Sequence, residues 1–378
     1  MFNNVKAKKR LTQVLVAFVI ICMSVTGSFL LLEDSIDTVH AEERTIEDAA
    51  GWNNAMSAAA NGGEWIITLG KDITVSSRLT AVPAGAKVKL QMNNHSINWN
   101  DTGSGNNNIM STSYPFSDNY WGTITNKGTL NIEGTGTISS FHTRIGYKNG
   151  DKRDSYGVKH AAIVNTGTLT IGSNITVKSY TAMSHESGTA FQDMFVYTHG
   201  VYNVGGTLNS GGTIKAGSFS QGVVGATGGT NSWAVAFSYG VYGGTVNVTG
   251  GNIYSEAKSG FTNANSWGII PPKGNKAYNY AFGIFADSPV ILGKTTITTK
   301  STSWRCNEED DNIWGNSGVN ASWGVGVMYT GDNYPVIGPS VNINASFQMA
   351  SNSTQISFPE YDTAIGSWTR SSASGPSS

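Results

Sequence analysis

A short phrase recurs along this chain at nearly constant intervals. Four close copies are NKGTLNIEGTGTIS at 126–139, NTGTLTIGSNITVK at 165–178, VGGTLNSGGTIKAG at 204–217 and GGTVNVTGGNIYS at 243–255. Looser copies follow at 288–299 and 334–345. Equivalent points are 39, 39, 38, 44 and 46 residues apart, counted between Leu130, Leu169, Leu208, Val246, Val290 and Val336. A period of this size is typical of solenoids and propellers.

Each repeat contains short runs in which aliphatic and polar residues alternate. In the first copy, Leu130 and Ile132 form one run, a glycine-rich turn follows, and Ile138 begins a second run. A third run precedes each copy, at 123–125, 161–164, 200–202, 239–242, 282–285 and 324–328. Such alternation predicts strands with one buried side. Three short strands per repeat predict an all-β, right-handed parallel β-helix of about seven coils over 64–346. A propeller needs four antiparallel strands per blade and fits less well.

Asparagine recurs at one corner of the repeat. Asn126, Asn165 and Asn203 each stand just before the first strand of a copy. In a β-helix, equivalent residues of successive coils lie above one another, so these amides are expected to stack and to bond from coil to coil.

The N-terminal segment has the features of an export signal. A basic region, with Lys6, Lys8, Lys9 and Arg10, precedes the largely apolar stretch 11–32, and Val39 and Ala41 put small residues at the positions that a signal peptidase reads. We expect a signal peptide over 1–41 with cleavage before Glu42, and hence a secreted or cell-surface protein. The alternative is an uncleaved anchor, because 22 residues can span a bilayer. Only in that case would the chain associate with a membrane.

A helix is predicted between the signal segment and the solenoid. Thr45 can act as N-cap, apolar residues follow at helical spacing to Ala60, and Asn61–Gly63 ends the helix. We interpret 42–63 as a cap that shields the apolar interior of the first coil. At the other end, 347–378 is expected to hold a C-terminal cap and a tail rich in Ser, Gly and Pro.

Composition excludes some function classes. Charged residues make up 13% of the chain and the formal net charge is −1, so the charge gives no reason to expect binding to nucleic acid. Removal of the signal segment would leave Cys306 as the one cysteine, which forbids an internal disulfide. The mature protein is expected to be a monomer whose stability comes from packing.

The run PAGAKVKLQMNNHSI at 83–97 and the restated NxGTLxI units resemble the right-handed parallel β-helix, or pectin-lyase-like, superfamily. The closest likeness is to the repeat domains of exported bacterial surface proteins and adhesins. The resemblance implies the fold and leaves function open, because the superfamily includes lyases, hydrolases and passive adhesins. Its polygalacturonase-like members carry motifs that Arg144–Gly146 and Thr198–Gly200 match only in part, with no Asp-Asp pair beside them.

The repeats are longer than three strands require, and the extra residues fall at one place in each repeat. We expect aligned loops at 140–157, 179–197, 218–236, 256–278 and 300–320, and loops aligned in this way usually form a binding side. The candidate binding residues are the aromatic residues Phe141, Tyr147, Tyr156, Trp233, Trp267, Tyr278, Trp304 and Trp314. Such rings can stack on sugars or pack on proteins. The alternative is that they bury one another as a small second core.

Charged groups in these segments suggest no defined reaction. The consecutive acids Glu308–Asp311 lack the spacing of a calcium loop, and His185, Glu186 and Asp193 have no fixed separation. His95 is interpreted as a polar turn residue. No metal site or cofactor is predicted; a calcium ion is expected only if the protein is a lyase.

The sequence therefore predicts an exported binding or structural protein, adhesin-like in character, whose partner is a glycan or an extracellular protein surface. The alternative function is that of a polysaccharide lyase or glycoside hydrolase.

Overall fold

The computed structural model describes residues 41–101, 110–111, 121–147, 156–185, 194–224, 233–263, 276–304, 319–332 and 334–350. The chain divides into two units, Met1–Ala41 and Glu42–Ser378, and the structure described below belongs to the second. The predicted signal peptide, apart from Ala41, and the tail from 351 onward lie outside the described residues.

The strands form three rows, which we call the first, second and third faces. The first face contains β1 (Glu42–Ile46), β2 (Gly63–Leu69), β4 (Ala86–Gln91), β8 (Thr129–Glu133), β11 (Thr168–Ile171), β14 (Thr207–Ser210) and β17 (Thr245–Val248). The second face contains β3 (Ile73–Val75), β5 (Ser96–Asp101), β9 (Gly136–Tyr147), β12 (Ile175–His185), β15 (Thr213–Val224) and β18 (Asn252–Asn263). The third face contains β6 (Met110–Ser111), β7 (Trp121–Asn126), β10 (Tyr156–Asn165), β13 (Met194–Tyr202), β16 (Trp233–Tyr242), β19 (Lys276–Ala286) and β21 (Val319–Tyr329). β20 (Val290–Trp304) and β22 (Val336–Ala350) run along both the first and the second face.

Strands of successive coils pair in parallel along each face. The first face has the order β1-β2-β4-β8-β11-β14-β17-β20, and the second continues from β20 through β18, β15, β12, β9 and β5 to β3. The third face has the order β21-β19-β16-β13-β10, with β7 also paired to β10. The short strand β6 pairs with β10 in the antiparallel sense. From β8 onward the chain visits the three faces in turn, so the predicted all-β parallel solenoid is confirmed.

A column of aliphatic side chains fills the centre of the solenoid. On the first face Leu130 pairs with Leu169, Leu169 with Leu208, and Leu208 with Val246, and each of these side chains is fully buried. On the second face the equivalent column is Ile97, Ile138, Val177, Ile214, Ile253 and Ile297, none more than 1% exposed. Burial of this apolar area is the main favourable contribution to folding.

The asparagine stack predicted from the sequence is present. Asn126 Nδ2 donates to Asn165 Oδ1 at 2.7 Å, and Asn165 Nδ2 donates to Asn203 Oδ1 at 2.6 Å. The stack ends in the next coil, where Gly243 stands in place of the asparagine. At the adjacent Gly244 the backbone φ is +65° and a Cβ would lie 2.1 Å from the Asn203 carbonyl oxygen. Only glycine fits there.

The N-terminal helix is shorter than the sequence predicts. α1 spans Ala49–Ala58, a 3-10 turn at Ala59–Asn61 follows, and the N-cap is Asp48, whose carboxylate accepts from Gly51 N at 2.7 Å. Thr45, the predicted N-cap, lies instead in β1, which pairs in parallel with β2. Parallel pairing satisfies the backbone groups of 42–46, so the helix begins only after this strand.

α1 packs against the first coil. Trp52, Ala55 and Met56 are fully buried in the same apolar cluster as Leu79 and Val82. The Trp52 indole nitrogen donates to the carbonyl oxygen of Thr80 at 2.8 Å. In the part of the chain that the structure describes, no helix is long and apolar enough to cross a membrane.

Where the structure describes the segments predicted as long loops, they are strand. β9 continues to Tyr147, β10 starts at Tyr156, and the later second-face and third-face strands are extended in the same way. Their inner sides pack as two layers: Ser218 Oγ donates to Thr198 Oγ1 at 2.8 Å, and Ser255 Oγ donates to Ser238 Oγ at 2.9 Å. Small hydroxyl side chains let two sheets approach closely while bonding across the gap. The extra residues therefore widen the solenoid into a two-layer extension.

We expect Asn165→Ala to destabilise the solenoid by about 3 kcal/mol, because it removes both coil-to-coil amide bonds at this position and takes the donor Asn165 Nδ2 away from the buried Asn203 Oδ1. Asn126 Nδ2 keeps its bonds to the carbonyl oxygens of Gly128 and Thr168. The free energy of unfolding in urea measures the effect. Asn174→Ala, at an exposed turn of the same coil, is the matched control. Equal stability of the two variants would contradict a role for the stack.

Candidate binding face

The structure separates the eight aromatic residues predicted to bind. Tyr147 ends β9, Tyr156 begins β10, Trp233 begins β16 and Trp304 ends β20, so these four occupy strand ends at the outer edge of the two-layer extension. Trp267 and Trp314 lie outside the described residues.

Two of the eight have described side chains. Phe141 lies inside β9, is 2% exposed, and stacks on Tyr180 with ring centroids 5.7 Å apart and planes 6° from parallel. It is therefore a packed strand residue, in line with the alternative of mutual burial, and its ring is not at the surface. Tyr278 is half-buried in β19, with its ring centroid 6.2 Å from that of Trp323. A binding role for the eight residues stays a prediction.

The most distinctive surface is the outer side of the third face, where aromatic rings stack in three columns that we call the aromatic face. The first column contains Tyr197, Phe237, Tyr280 and Trp323, the middle column contains His199, Tyr239 and Phe282, and the last column contains Tyr202, Tyr242 and Phe285. In the first column the successive centroids are 4.6, 4.7 and 4.5 Å apart, with planes 4° to 6° from parallel. This spacing is close to the usual distance between paired strands, so the register of the sheet imposes the stacking.

The middle and last columns pack edge to face. His199 and Tyr202 have centroids 5.2 Å apart at 81°, and Tyr239 and Tyr242 have centroids 5.0 Å apart at 81°. His199 is fully buried, and Tyr239 and Phe282 are each 7% exposed. The middle column is thus enclosed by its neighbours, whereas the flanking columns form the accessible surface, with Trp323 41% exposed. Edge-to-face pairs of this kind are favourable for aromatic rings.

A glycine at the same register position of β13, β16 and β19 makes this arrangement possible. A Cβ on Gly240 would lie 2.4 Å from Ile253 Cγ2, so the backbone presses directly on the core column of the second face. The neighbouring Val241 is fully buried. Because two successive residues, Gly240 and Val241, turn inward, Tyr239 and Tyr242 both project outward although they are three residues apart. Strict alternation would have sent one of them into the core.

The aromatic face is electrically neutral over most of its length. The pKa of His199 is lowered to about 3, chiefly by burial and to a smaller extent by the nearby Lys159 cation, while the bond to the His160 carbonyl oxygen partly opposes this shift. Burial, followed by neighbouring tyrosines, raises the pKa of Tyr239, and burial also raises the pKa of Tyr280. One cation lies at the edge of the face, where Lys159 Nζ is 5.9 Å from the Tyr197 ring centroid. The surface therefore offers ring edges and protonated phenol groups.

Two other arrangements of side chains resemble chemical sites in part. Ser140 Oγ lies 2.6 Å from His160 Nδ1, a spacing found in nucleophile–base pairs, but both residues are fully buried and no substrate can reach them. On the outer side of the second face, Glu256 accepts from the Tyr254 hydroxyl at 2.8 Å and pairs with Lys258 Nζ at 2.8 Å. That cluster contains one carboxylate, whereas a glycosidase of the usual kind needs two. Among the described residues, no three His, Cys, Asp or Glu side chains are grouped so that they could hold a metal ion.

Sequence reasoning identified the third-face strands but not the aromatic face. The sequence signal for the aromatic face is a five-residue pattern: a small residue, a ring, glycine, an aliphatic residue and a second ring. It reads THGVY at 198–202, SYGVY at 238–242 and AFGIF at 281–285. It is visible once the three glycines are aligned. Comparison with protein-family models gave no match, and comparison with curated proteins found none that is significantly similar. Function therefore has to be argued from the geometry of the chain itself.

Replacement of His199 should make stability less dependent on pH. Below the ordinary histidine pKa of 6.5 the unfolded chain takes up a proton that buried His199, with its pKa near 3, does not. Its contribution to stability is thus present above pH 6.5 and is lost progressively as the pH falls toward 3.

His199→Phe keeps a ring in the column and removes this titration. We expect a loss of about 1 kcal/mol near neutral pH, from the bond between His199 Nδ1 and the His160 carbonyl oxygen, and a smaller fall in stability on acidification. Urea unfolding at about pH 7 and about pH 4.5 measures both effects. His95→Phe, at a half-buried turn position, is the control; an unchanged pH dependence in His199→Phe would contradict the assignment.

Proposed function

We propose that this chain is an exported binding protein whose aromatic face docks a flat partner outside the cell. The observation that carries the proposal is the set of three in-register ring columns on one side of a rigid parallel solenoid. Aromatic residues, tyrosine above all, are enriched at protein interfaces because they offer large contact areas at a low cost in conformational entropy. The basic and apolar N-terminal segment supports export. The parallel three-row architecture supports kinship with pectin-lyase-like β-helices, and within that superfamily the adhesin-like role fits best.

The orientation of the rings favours a protein partner over a glycan. Sugars stack on the face of an aromatic ring, but inside the first column each ring has neighbours on both of its faces. Tyr280, for example, lies between Phe237 and Trp323. The accessible parts are C–H edges and phenol hydroxyls, which suit the mixed apolar and polar surface of a folded protein. A glycan would depend on Trp323, the last described ring of its column.

The lyase or hydrolase alternative stays a prediction. It would require catalytic acids that converge with a basic residue, and the described cluster nearest to that arrangement, Tyr254–Glu256–Lys258, provides a single carboxylate whose charge is paired with Lys258. The accessible aromatic columns do not in themselves imply a chemical reaction. The binding function is therefore preferred.

Removal of rings from the aromatic face should weaken partner binding. We expect Trp323→Ser and Tyr280→Ser each to reduce affinity roughly tenfold, as loss of an aromatic anchor at an interface usually does. The measurement is binding of the purified chain to a panel of immobilised extracellular-matrix proteins and to a glycan array. Tyr254→Ser, a half-buried tyrosine on the second face, is the matched control and should bind like the unmodified chain.

Thermal melts of all three variants show whether each remains folded, so that loss of binding is not confused with unfolding. The proposal fails if the unmodified chain binds nothing on either panel, or if Tyr254→Ser weakens binding as much as Trp323→Ser. Release of unsaturated products or new reducing ends from a uronate-rich polysaccharide in the presence of calcium would favour the enzymatic alternative.

A further inference from the structure

The aromatic face is narrow and uncharged. Phe237 and Tyr239 have ring centroids 6.3 Å apart, and Tyr239 and Tyr242 have centroids 5.0 Å apart. The three columns together are therefore about as wide as one layer of chain with its side chains, which is about 10 Å. No side chain in the three columns carries a charge, because the lowered pKa of buried His199 leaves its ring neutral. The surface thus suits a slender and uncharged segment of a partner.

The aromatic face is also short along the solenoid axis. Its first column passes over four strands, from Tyr197 in β13 to Trp323 in β21. Three steps between paired strands cover about 14 Å. The outline of the face is therefore roughly 150 Å², whereas a standard-size interface buries about 800 Å² on each partner. The ring columns are too small to hold two copies of this chain together by themselves, and their area fits one extended segment.

The spacing of the rings matches one extended conformation in particular. Tyr202 and Phe285 stand two coils apart in the last column, and two strand spacings are about 9.6 Å. A polyproline II helix repeats every three residues, which is about 9.3 Å. A chain in this conformation that runs along a column therefore presents equivalent residues to every second coil. The two-residue repeat of a β-strand, about 6.7 Å, matches neither one coil nor two.

The side chains at the surface of the face also suit this conformation. A polyproline II helix has no internal hydrogen bonds, so its carbonyl oxygens can accept bonds from a binding surface. Tyr280 carries a hydroxyl donor, and Trp323, 41% exposed, carries an indole N–H donor. Aromatic-lined surfaces are the usual binding sites of proline-rich segments. Such a segment is already extended before it binds, so little conformational entropy is lost.

We propose that the aromatic face recognises a proline-rich segment of an extracellular protein in the polyproline II conformation, which lies along the ring columns and crosses β13, β16, β19 and β21. The inference rests on the proposed binding function and specifies which segment of the partner the face contacts. About five residues cover the face, at about 3.1 Å per residue. Tyr280 and Trp323 donate to carbonyl oxygens of the segment, and the ring edges of Phe237 and Phe285 pack against its prolines.

A capped peptide of about ten L-prolines, roughly three turns of the helix, tests the proposal. Its binding to the purified chain is measured by isothermal titration calorimetry, and we expect saturable binding. The matched control is the same peptide made of D-prolines, which winds its side chains and carbonyl groups around the axis in the opposite direction. We expect it to bind roughly tenfold more weakly, because its groups miss the donors of the face. Equal binding of the two peptides, or no binding of the L-peptide at millimolar concentration, overturns the proposal.

Two substitutions at Tyr280 separate the ring from its hydroxyl. Tyr280→Ser removes both and should weaken binding of the L-peptide roughly tenfold, whereas Tyr280→Phe removes the hydroxyl alone and should weaken it about threefold. Tyr254→Ser, on the second face, is the control and should bind like the unmodified chain. Thermal melts show whether each variant is folded, and Tyr280→Phe, which keeps the ring column, tests the contact even if Tyr280→Ser unfolds. Unchanged binding in folded Tyr280→Phe and Trp323→Ser contradicts the proposed contacts.

The failure of this inference can be distinguished from the failure of the proposed function. If the chain captures an extracellular protein through Trp323 but does not bind the L-proline peptide, the proposed function is supported and this inference fails. If the chain captures no protein and binds neither peptide nor glycan, both fail. A dimer that forms with increasing concentration in analytical ultracentrifugation, and that Trp323→Ser abolishes, would identify a second copy as the occupant and would also overturn the inference.

Discussion

Parallel pairing in register, coil upon coil, is the interaction on which the rest of this structure depends. It places Leu130 above Leu169 in the core, and Asn126 above Asn165 at the corner. It also places Tyr197 above Phe237 on the outer surface. The same backbone ladder thus organises an apolar core, a buried amide stack and an external set of rings. A change of one residue in register would disturb all three, because the side-chain period of a strand is two.

Because the strands pair in register, weak interactions between single pairs of side chains are repeated from coil to coil. A single aromatic pair contributes roughly 0.5–1.5 kcal/mol beyond its buried area. On the third face such pairs continue from coil to coil in three columns, and the columns enclose one another. The middle column is buried without being inside the solenoid, and burial holds His199 neutral and Tyr239 protonated. The result is a broad, uncharged and rigid surface, a combination suited to recognition of a partner with little cost in ordering.

Stability and the proposed recognition depend on different parts of each coil. The first face carries strands with mostly polar or charged residues outside and mostly aliphatic residues inside, and glycine and asparagine occupy its corners. The second and third faces extend beyond the core as two layers joined by serine and threonine hydroxyls. That extension supports the outer strands on which the aromatic face is built. Variation of the outer residues could change the partner while the core and corners stay the same.

The sequence by itself determined the repeat, the three strands of each coil, the inward aliphatic residues and the asparagine stack. Each of these depends on a local period or on identical spacing between copies, which a single chain displays directly. Residues such as Ser218 and Ser220 gave no strand signal of their own, because a run of small polar residues becomes a strand only when another layer packs against it. Tertiary structure therefore decided that the described parts of the predicted loops are extended strands and that Phe141 is buried. The formation of the aromatic face also depends on tertiary structure. Gly240 and Val241 both turn inward to pack on the core, and this break in alternation places Tyr239 and Tyr242 on the same side of the strand.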